Sequence, residues 1–318
     1  MTNGLRTIAA VACFAAMAGC SSDDDGAGAT SWSLLSPGGG VAVDIAQLDL
    51  GGEADYPDGE RLYYRVSVEG VEILQWSPLG IATDRADYNG ALEFRRRDAR
   101  RIDRAYEMKV GKRLQRRERA NEITLWFANA AGDEIEIDFR AADDGAAFRY
   151  RMLGDGSATA HGESSGFRLV ENASAWLVPY QNAWPFGPAY ESHFESVPLG
   201  SSNNDNGWGY AALFRAPADD RYALIAEADL DGGYVGTHLA QPVGPLYRVA
   251  YPGAAEGQGV GELQPRSTLP WTTPWRVIIT GDLPTVFAST LVDDLSRPTA
   301  DTFDGDTSWV RPGRTAWS

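Results

Sequence analysis

From Ser31 onward the sequence predicts an all-β, antiparallel fold with one short helix near the C-terminus. Three observations carry this. Apolar and polar residues alternate at a period of two over several segments. Turn signals separate those segments. Gly (35) and Pro (17) are abundant among 318 residues, as suits a chain that reverses often.

The elements follow in order. Leu62, Tyr64, Val66 and Val68 alternate with Tyr63, Arg65, Ser67 and Glu69, so one face of this strand is apolar. Glu69-Gly70 turns the chain into Val71-Glu72-Ile73-Leu74. Ile135, Ile137 and Phe139 alternate with Glu134, Glu136 and Asp138. Asp143-Asp144-Gly145 then closes a hairpin, because Asp-Gly tolerates the positive φ of a tight turn. The return strand sets Phe148, Tyr150 and Met152 against Arg149 and Arg151. Tyr222–Ala226 and Val277–Thr280 are continuous apolar runs and predict buried strands. The helix is placed where Leu283, Phe287, Leu291 and Leu295 recur four apart, with Asp282 as N-cap and Arg297-Pro298 as the stop. No repeat of 20–50 residues is present in the sequence.

Residues 1–19 are expected to be a targeting segment. Arg6 is its positive end, and Ile8–Met17 is an apolar run too short to span a bilayer. Met17-Ala18-Gly19-Cys20 resembles a bacterial lipobox, with Met where Leu is usual. That resemblance implies cleavage before Cys20, lipidation of its thiol and attachment to a membrane. Ser21 after the lipidated Cys implies the Gram-negative outer membrane, facing the periplasm. Residues 20–30 are expected to be a disordered tether, acidic and Gly-rich. With Cys13 removed and Cys20 acylated, the mature domain has no disulfide and no Cys-ligated metal.

The net charge of −16 argues against nucleic acid as a partner and disfavours an anionic membrane surface. One block runs the other way. Arg95–Arg119 holds twelve Arg or Lys against four Asp or Glu, a local charge of +8. It reads either as a docking patch for an anionic partner or lipid, or as solvated edge strands whose charges discourage aggregation.

Several motifs stand at consistent spacing. They are Tyr64-Arg65-Val66 through Ser77-Pro78-Leu79-Gly80, and Asp138-Phe139-Arg140 through Phe148-Arg149-Tyr150. Further on come Tyr190-Glu191-Ser192-His193-Phe194-Glu195, Thr273-Pro274-Trp275-Arg276, and Pro312-Gly313 through Trp317-Ser318. This series resembles the N-terminal domain of family 97 glycoside hydrolases over residues ~32–318. The resemblance implies a large antiparallel β-sandwich (a super-sandwich) over residues 31–298. Residues 299–318 would be a linker into a catalytic (β/α)8 barrel of ~250 residues, for which the chain has no room. Full-length members of that family cleave α-glucosides by inversion or α-galactosides by retention. The deciding residues lie in the barrel, so no catalytic residue is assigned and the chain alone is expected to be inactive.

The resemblance also implies that Glu191 reaches toward a Ca2+ ion at the barrel mouth. Ca2+ takes six to eight oxygen ligands, so one carboxylate alone would bind it weakly or not at all. A surface Glu beside aromatic packing is the other reading of that position. Trp176, Tyr180, Trp184, Phe186 and Tyr190 form an aromatic run interleaved with prolines. They could stack on sugar rings, pack on a barrel or fill the sandwich edge. Trp184, Tyr190 and Trp317 are therefore the candidate contacts for carbohydrate or barrel. Glu191 and Glu195 define no acid–base separation. His161, His193 and His238 lack metal-ligand spacing, and no Gly-x-Ser-x-Gly elbow is present. The expected partners are an α-linked glucoside or galactoside, a barrel on a separate chain and a membrane. The alternative is a stand-alone carbohydrate-binding or docking lipoprotein without hydrolase activity.

Overall fold

The computed structural model describes residues 30–52, 56–181, 192–203, 206–217, 220–254, 256, 261–297, 306 and 308–313. The chain opens with four strands: β1 (Ser31–Leu35), β2 (Val41–Asp49), β3 (Glu60–Val68) and β4 (Val71–Pro78). They form one antiparallel sheet in the order β1-β2-β3-β4. Register follows the period-two pattern, with Val43 opposite Val66 and Ile45 opposite Tyr64, so both strands turn the same apolar face inward. Glu69 and Gly70 both take positive φ, 51° and 81°, as a two-residue hairpin turn with the right twist requires.

After β5 (Ile81–Thr83) come β6 (Glu93–Glu107), β7 (Gln115–Ala128), β8 (Glu134–Ala142) and β9 (Gly145–Met152). Then follow β10 (Ser157–Glu163), β11 (Gly166–Arg168), β12 (Ser174–Pro179), β13 (Glu195–Pro198), β14 (Trp208–Arg215) and β15 (Tyr222–Ala228). The last strands are β16 (His238–Leu239), β17 (Leu246–Ala250), β18 (Arg266–Thr268), β19 (Trp271–Thr272) and β20 (Trp275–Gly281). Thirteen strands make the second sheet, along the path β11-β17-β16-β14-β15-β20-β9-β8-β7-β6, with β12, β13 and β19 as branches. A small sheet, β18-β10-β5, sits beside it.

The main core lies between the four-stranded and thirteen-stranded sheets, where Val43, Ile45 and Val66 meet Ile123, Phe139 and Ile225. This is the sandwich arrangement, with inner faces interdigitated. A second cluster, including Val277, Ile279 and Leu291, lies under two helices, α1 (Leu283–Ala288) and α2 (Leu291–Leu295), on the other face of the large sheet. β20 separates the two cores and every residue of it is buried, which is why its sequence shows no alternation.

Two local expectations are refined. The hairpin at Asp143-Asp144 is present, with Ala142 paired to Gly145. Gly145 is needed for close approach as well: a Cβ there would lie 2.4 Å from the Ile278 carbonyl oxygen. The single helix is a correction. Asp282 does cap α1, accepting from the Thr285 amide at 2.9 Å, but the chain leaves helical geometry at Ser289 (ψ 142°) and restarts at Leu291. The Ser289 hydroxyl accepts from the Leu291 amide at 3.2 Å, a local bond that competes with the helix ladder. The break leaves Phe287 exposed while Val286, Leu291 and Leu295 are buried.

Candidate functional site

β12 ends at Pro179, and the chain enters a cavity with the next residue. The Tyr180 ring stacks on His238 with centroids 3.8 Å apart and planes 6° from parallel. The Tyr180 hydroxyl donates to Glu256, whose carboxylate also accepts from the Gly253 amide at 2.6 Å. Gln181 donates to the Ser192 hydroxyl, so the two ends of the segment 182–191 are joined. Beside this point lies an open cavity of about 600 Å3, lined by Tyr180, Tyr234, Thr237, Glu256 and Gln264 and by Gly-rich turns. Burial depresses the His238 pKa below the ordinary histidine value, although the Glu256 carboxylate pulls the other way.

Behind the cavity wall sits a buried charge cluster. Tyr234 donates to Glu163 at 3.3 Å, and its hydroxyl is 2.9 Å from that of Tyr251. The Arg276 Nε donates to Glu163 at 2.9 Å, and a second guanidinium nitrogen reaches the other Glu163 oxygen. A third bond runs from Arg276 to Glu227, which also accepts from the Thr237 hydroxyl at 2.6 Å and its amide at 3.1 Å. Burial alone would lower the Arg276 pKa; Glu163 and Glu227 outweigh it and hold the guanidinium well above its usual value. Burial raises the phenol pKa of Tyr234 and Tyr251, and the Glu163 charge raises both further. These tyrosines therefore act as neutral hydrogen-bond donors at physiological pH.

Glu256 and Glu163 are already engaged by Tyr180 and Arg276.

The sequence motifs converge in the core. Tyr64 donates to the Gly166 carbonyl at 2.9 Å and its ring lies 4.9 Å from Phe148. The Gly80 amide donates to the Tyr150 hydroxyl at 2.9 Å, closing the Ser-Pro-Leu-Gly turn onto β9. Trp275 is buried, with the Arg149 guanidinium 4.2 Å and the Arg140 guanidinium 4.8 Å from its ring.

Most of the site residues expected from the sequence fall on segments that are not described. Cys20, Trp184, Tyr190, Glu191 and Trp317 all lie outside the described residues, as do the signal segment and nearly all of the tether. Trp176 packs with the cluster under the helices, and Tyr180 lines the cavity. Glu195 and Phe194 are exposed next to β13, and Trp309 is exposed. Among the described residues no group of three or more His, Cys, Asp or Glu is arranged to hold a metal ion. Sequence reasoning missed Glu163, Glu227 and Glu256. One signal pointed to the first two: Arg276 interrupts the run Trp275–Ile279, and a charge inside a fully buried strand demands partners.

The family described as Glycosyl-hydrolase 97 N-terminal matches residues 34–298. The chain is 35% identical over 258 residues to a "Probable retaining alpha-galactosidase" of Streptomyces bingchenggensis, covering 81% of this chain and 37% of that protein. Among solved structures, it resembles a beta-arabinopyranosidase with a TM-score of 0.71 and 30% identity, over 79% of this chain and 40% of that one. A Glycoside Hydrolase Family 97 enzyme in complex with Acarbose from Pseudoalteromonas sp. strain K8 shares the fold, with a TM-score of 0.72 and 23% identity over 89% of this chain and 40% of that one. The chain thus spans about two fifths of the length of the curated relatives it matches.

Proposed function

The chain belongs to the glycosyl-hydrolase 97 N-terminal family, and from that premise we propose that it serves as the sandwich half of a sugar site completed by a catalytic barrel. The observation that carries this reading is the cavity at the root of segment 182–191, where Tyr180, Tyr234 and Glu256 offer a rigid, partly aromatic wall. On this reading the segment carries Trp184 and Tyr190 toward sugar or barrel, Trp317 toward the barrel, and Glu191 toward a calcium ion. Ca2+ would supply positive charge at the barrel mouth, and Glu191 would be one oxygen ligand among several from the barrel. Glucosides and galactosides are both open to the family, and galactosides are favoured. The 35%-identical relative is named as an α-galactosidase and a 30%-identical structure as a β-arabinopyranosidase. β-L-Arabinopyranose has the ring stereochemistry of α-D-galactose without its C6 carbon, so one pocket can suit both.

The test is reconstitution. The barrel part of the Streptomyces relative, mixed or co-expressed with this chain, should hydrolyse nitrophenyl α-galactoside faster than nitrophenyl α-glucoside. The chain alone should release no nitrophenol. In the mixture, Glu191→Gln should raise the calcium concentration needed for half-maximal activity. A barrel equally active without this chain would overturn the reading. So would galactoside binding by the chain alone that no barrel alters, which would point to a stand-alone binding lipoprotein.

A further inference from the structure

The basic block forms one flank of the sandwich. β6 and β7 are 15 and 14 residues long and pair along their whole length, a ribbon of about 50 Å. β6 ends the large sheet and β1 the four-stranded one, and the two are linked by Trp32 on Phe94 and by Asn121 donating to the Leu35 carbonyl at 2.8 Å. Glu93–Ala128 carries twelve Arg or Lys against six Asp or Glu, a net charge of +6. Pairs within the block are already counted in that figure, and from outside it Asp293 pairs with Arg116 at 2.9 Å. Arg117 makes two bonds to Asp103, at 2.7 and 2.8 Å, with Arg119 behind it at 3.8 Å on the same carboxylate. Glu118 and Glu122 are each shared between an outer arginine, Arg104 or Arg100, and the inner Arg140. Arg97, Arg101 and Arg113 are exposed.

Two further observations concern the ends of this ribbon. At its tip, Val110 and Leu114 are 52% and 59% exposed, and Lys109, Lys112 and Arg113 are interspersed with them. At its base the N-terminal chain arrives: the Thr30 carbonyl accepts from the Gln47 amide, whose side chain donates to the Leu92 carbonyl, and Trp32 packs on Phe94 at 4.9 Å. Cys20 is ten residues before Thr30, a reach of at most about 35 Å.

We propose that the β6–β7 flank is a contact face for an anionic phospholipid surface, with Val110 and Leu114 entering the interface and Lys and Arg side chains meeting lipid phosphates. It rests on the reading of Cys20 as a lipid anchor, which would tether the base of this flank within about 35 Å of the membrane. Exposed aliphatic side chains among lysines and arginines suit a headgroup boundary, whereas an acidic protein surface would gain nothing from the former. The overall charge of −16 does not prevent this. Salt screens charge beyond about 8 Å, so the membrane meets the apposed flank and little of the acidic body.

The test uses the full-length chain with Cys20→Ser, which carries no acyl group, in co-sedimentation with vesicles of phosphatidylcholine with or without phosphatidylglycerol. Binding should require phosphatidylglycerol and fall as salt rises. The triple variant Arg97→Gln, Arg101→Gln, Arg113→Gln should bind roughly a hundredfold more weakly. Val110→Ser with Leu114→Ser should weaken binding while leaving its salt dependence intact. Circular dichroism would establish that the variants, all at exposed positions, remain folded. Equal sedimentation with neutral vesicles, no sedimentation with either, or unchanged binding of the triple variant would each overturn the proposal. So would binding that appears only after Asp23–Asp25 are changed to Asn, since the acidic tether would then be the occupant. Acyl labelling of Cys20 in the wild type reports separately on the anchor.

Discussion

Arg276 and Glu163 pair through two guanidinium nitrogens, and neither side chain exposes any surface. Glu227 completes the cluster from β15, so three strands distant in sequence are joined by charge inside the fold. Such a cluster is worth little relative to an apolar replacement of the whole, but breaking it is costly.

Arg276→Met should therefore destabilise the protein by about 3–5 kcal/mol, because two carboxylates lose the one guanidinium that pairs with them among the described residues. Urea unfolding followed by tryptophan fluorescence measures this. Glu227→Gln should cost less, since Glu163 still faces Arg276. A loss under 1 kcal/mol for Arg276→Met would mean that water reaches the cluster.

Gly145→Ala places a methyl 2.4 Å from the Ile278 carbonyl oxygen and 2.8 Å from Leu291. Either β9 or α2 must move, at a cost of about 3 kcal/mol. Thermal unfolding of the variant should show a clear drop in Tm. Gly132, with nothing within 4 Å of its added Cβ, is the control for a positive-φ turn without a packing conflict.

His238 gives the fold an acid-sensitive point. Its pKa is lowered by burial, so protonation favours the unfolded chain, in which the pKa is about 6.5. The stability it contributes is present above that value and is lost as pH falls below it toward the folded-state pKa. Its Nδ1 has no hydrogen-bond partner among the described residues, and a bond to the Asn206 backbone is what substitution there would remove. His238→Phe keeps a ring against Tyr180 and removes the titration. The decline of Tm below about pH 6.5 should be shallower in the variant. Parallel curves for the two proteins would exclude His238 as the cause.

Lipid attachment at Cys20 predicts that a palmitate analogue labels the wild type in cells and not Cys20→Ser. Fractionation should place the wild type with membranes. Anchoring needs more than one acyl chain, because a single chain holds a protein only marginally. Wild-type protein recovered from the periplasm without lipid would refute the anchor.

Much of the fold was legible because strand periodicity is local. The alternation at Leu62–Val68, Ile135–Phe139 and Phe148–Met152 reports which face is buried without reference to any partner. Asp282 was legible as a cap for the same reason, since its bond closes within three residues. The helix break was not, because four-residue spacing through Phe287 is indistinguishable in sequence from two short helices that each bury a separate patch. The aromatic run from Trp176 to Tyr190 reads as one segment, yet Trp176 packs with the cluster under the helices while Tyr180 lines the cavity.

By itself, then, the sequence determined the all-β class, the hairpins, the buried central strand and the resemblance carried by its motifs. These depend on backbone geometry within a few residues. Only the tertiary structure decided that Arg276 meets Glu163 across 113 residues, that Glu256 receives Tyr180 beside a cavity, and that the basic ribbon ends where the N-terminal chain arrives. Those pairings follow from the order of strands in the sheets. Strand order is set by the joint burial of many faces at once, a condition that no single stretch of sequence contains.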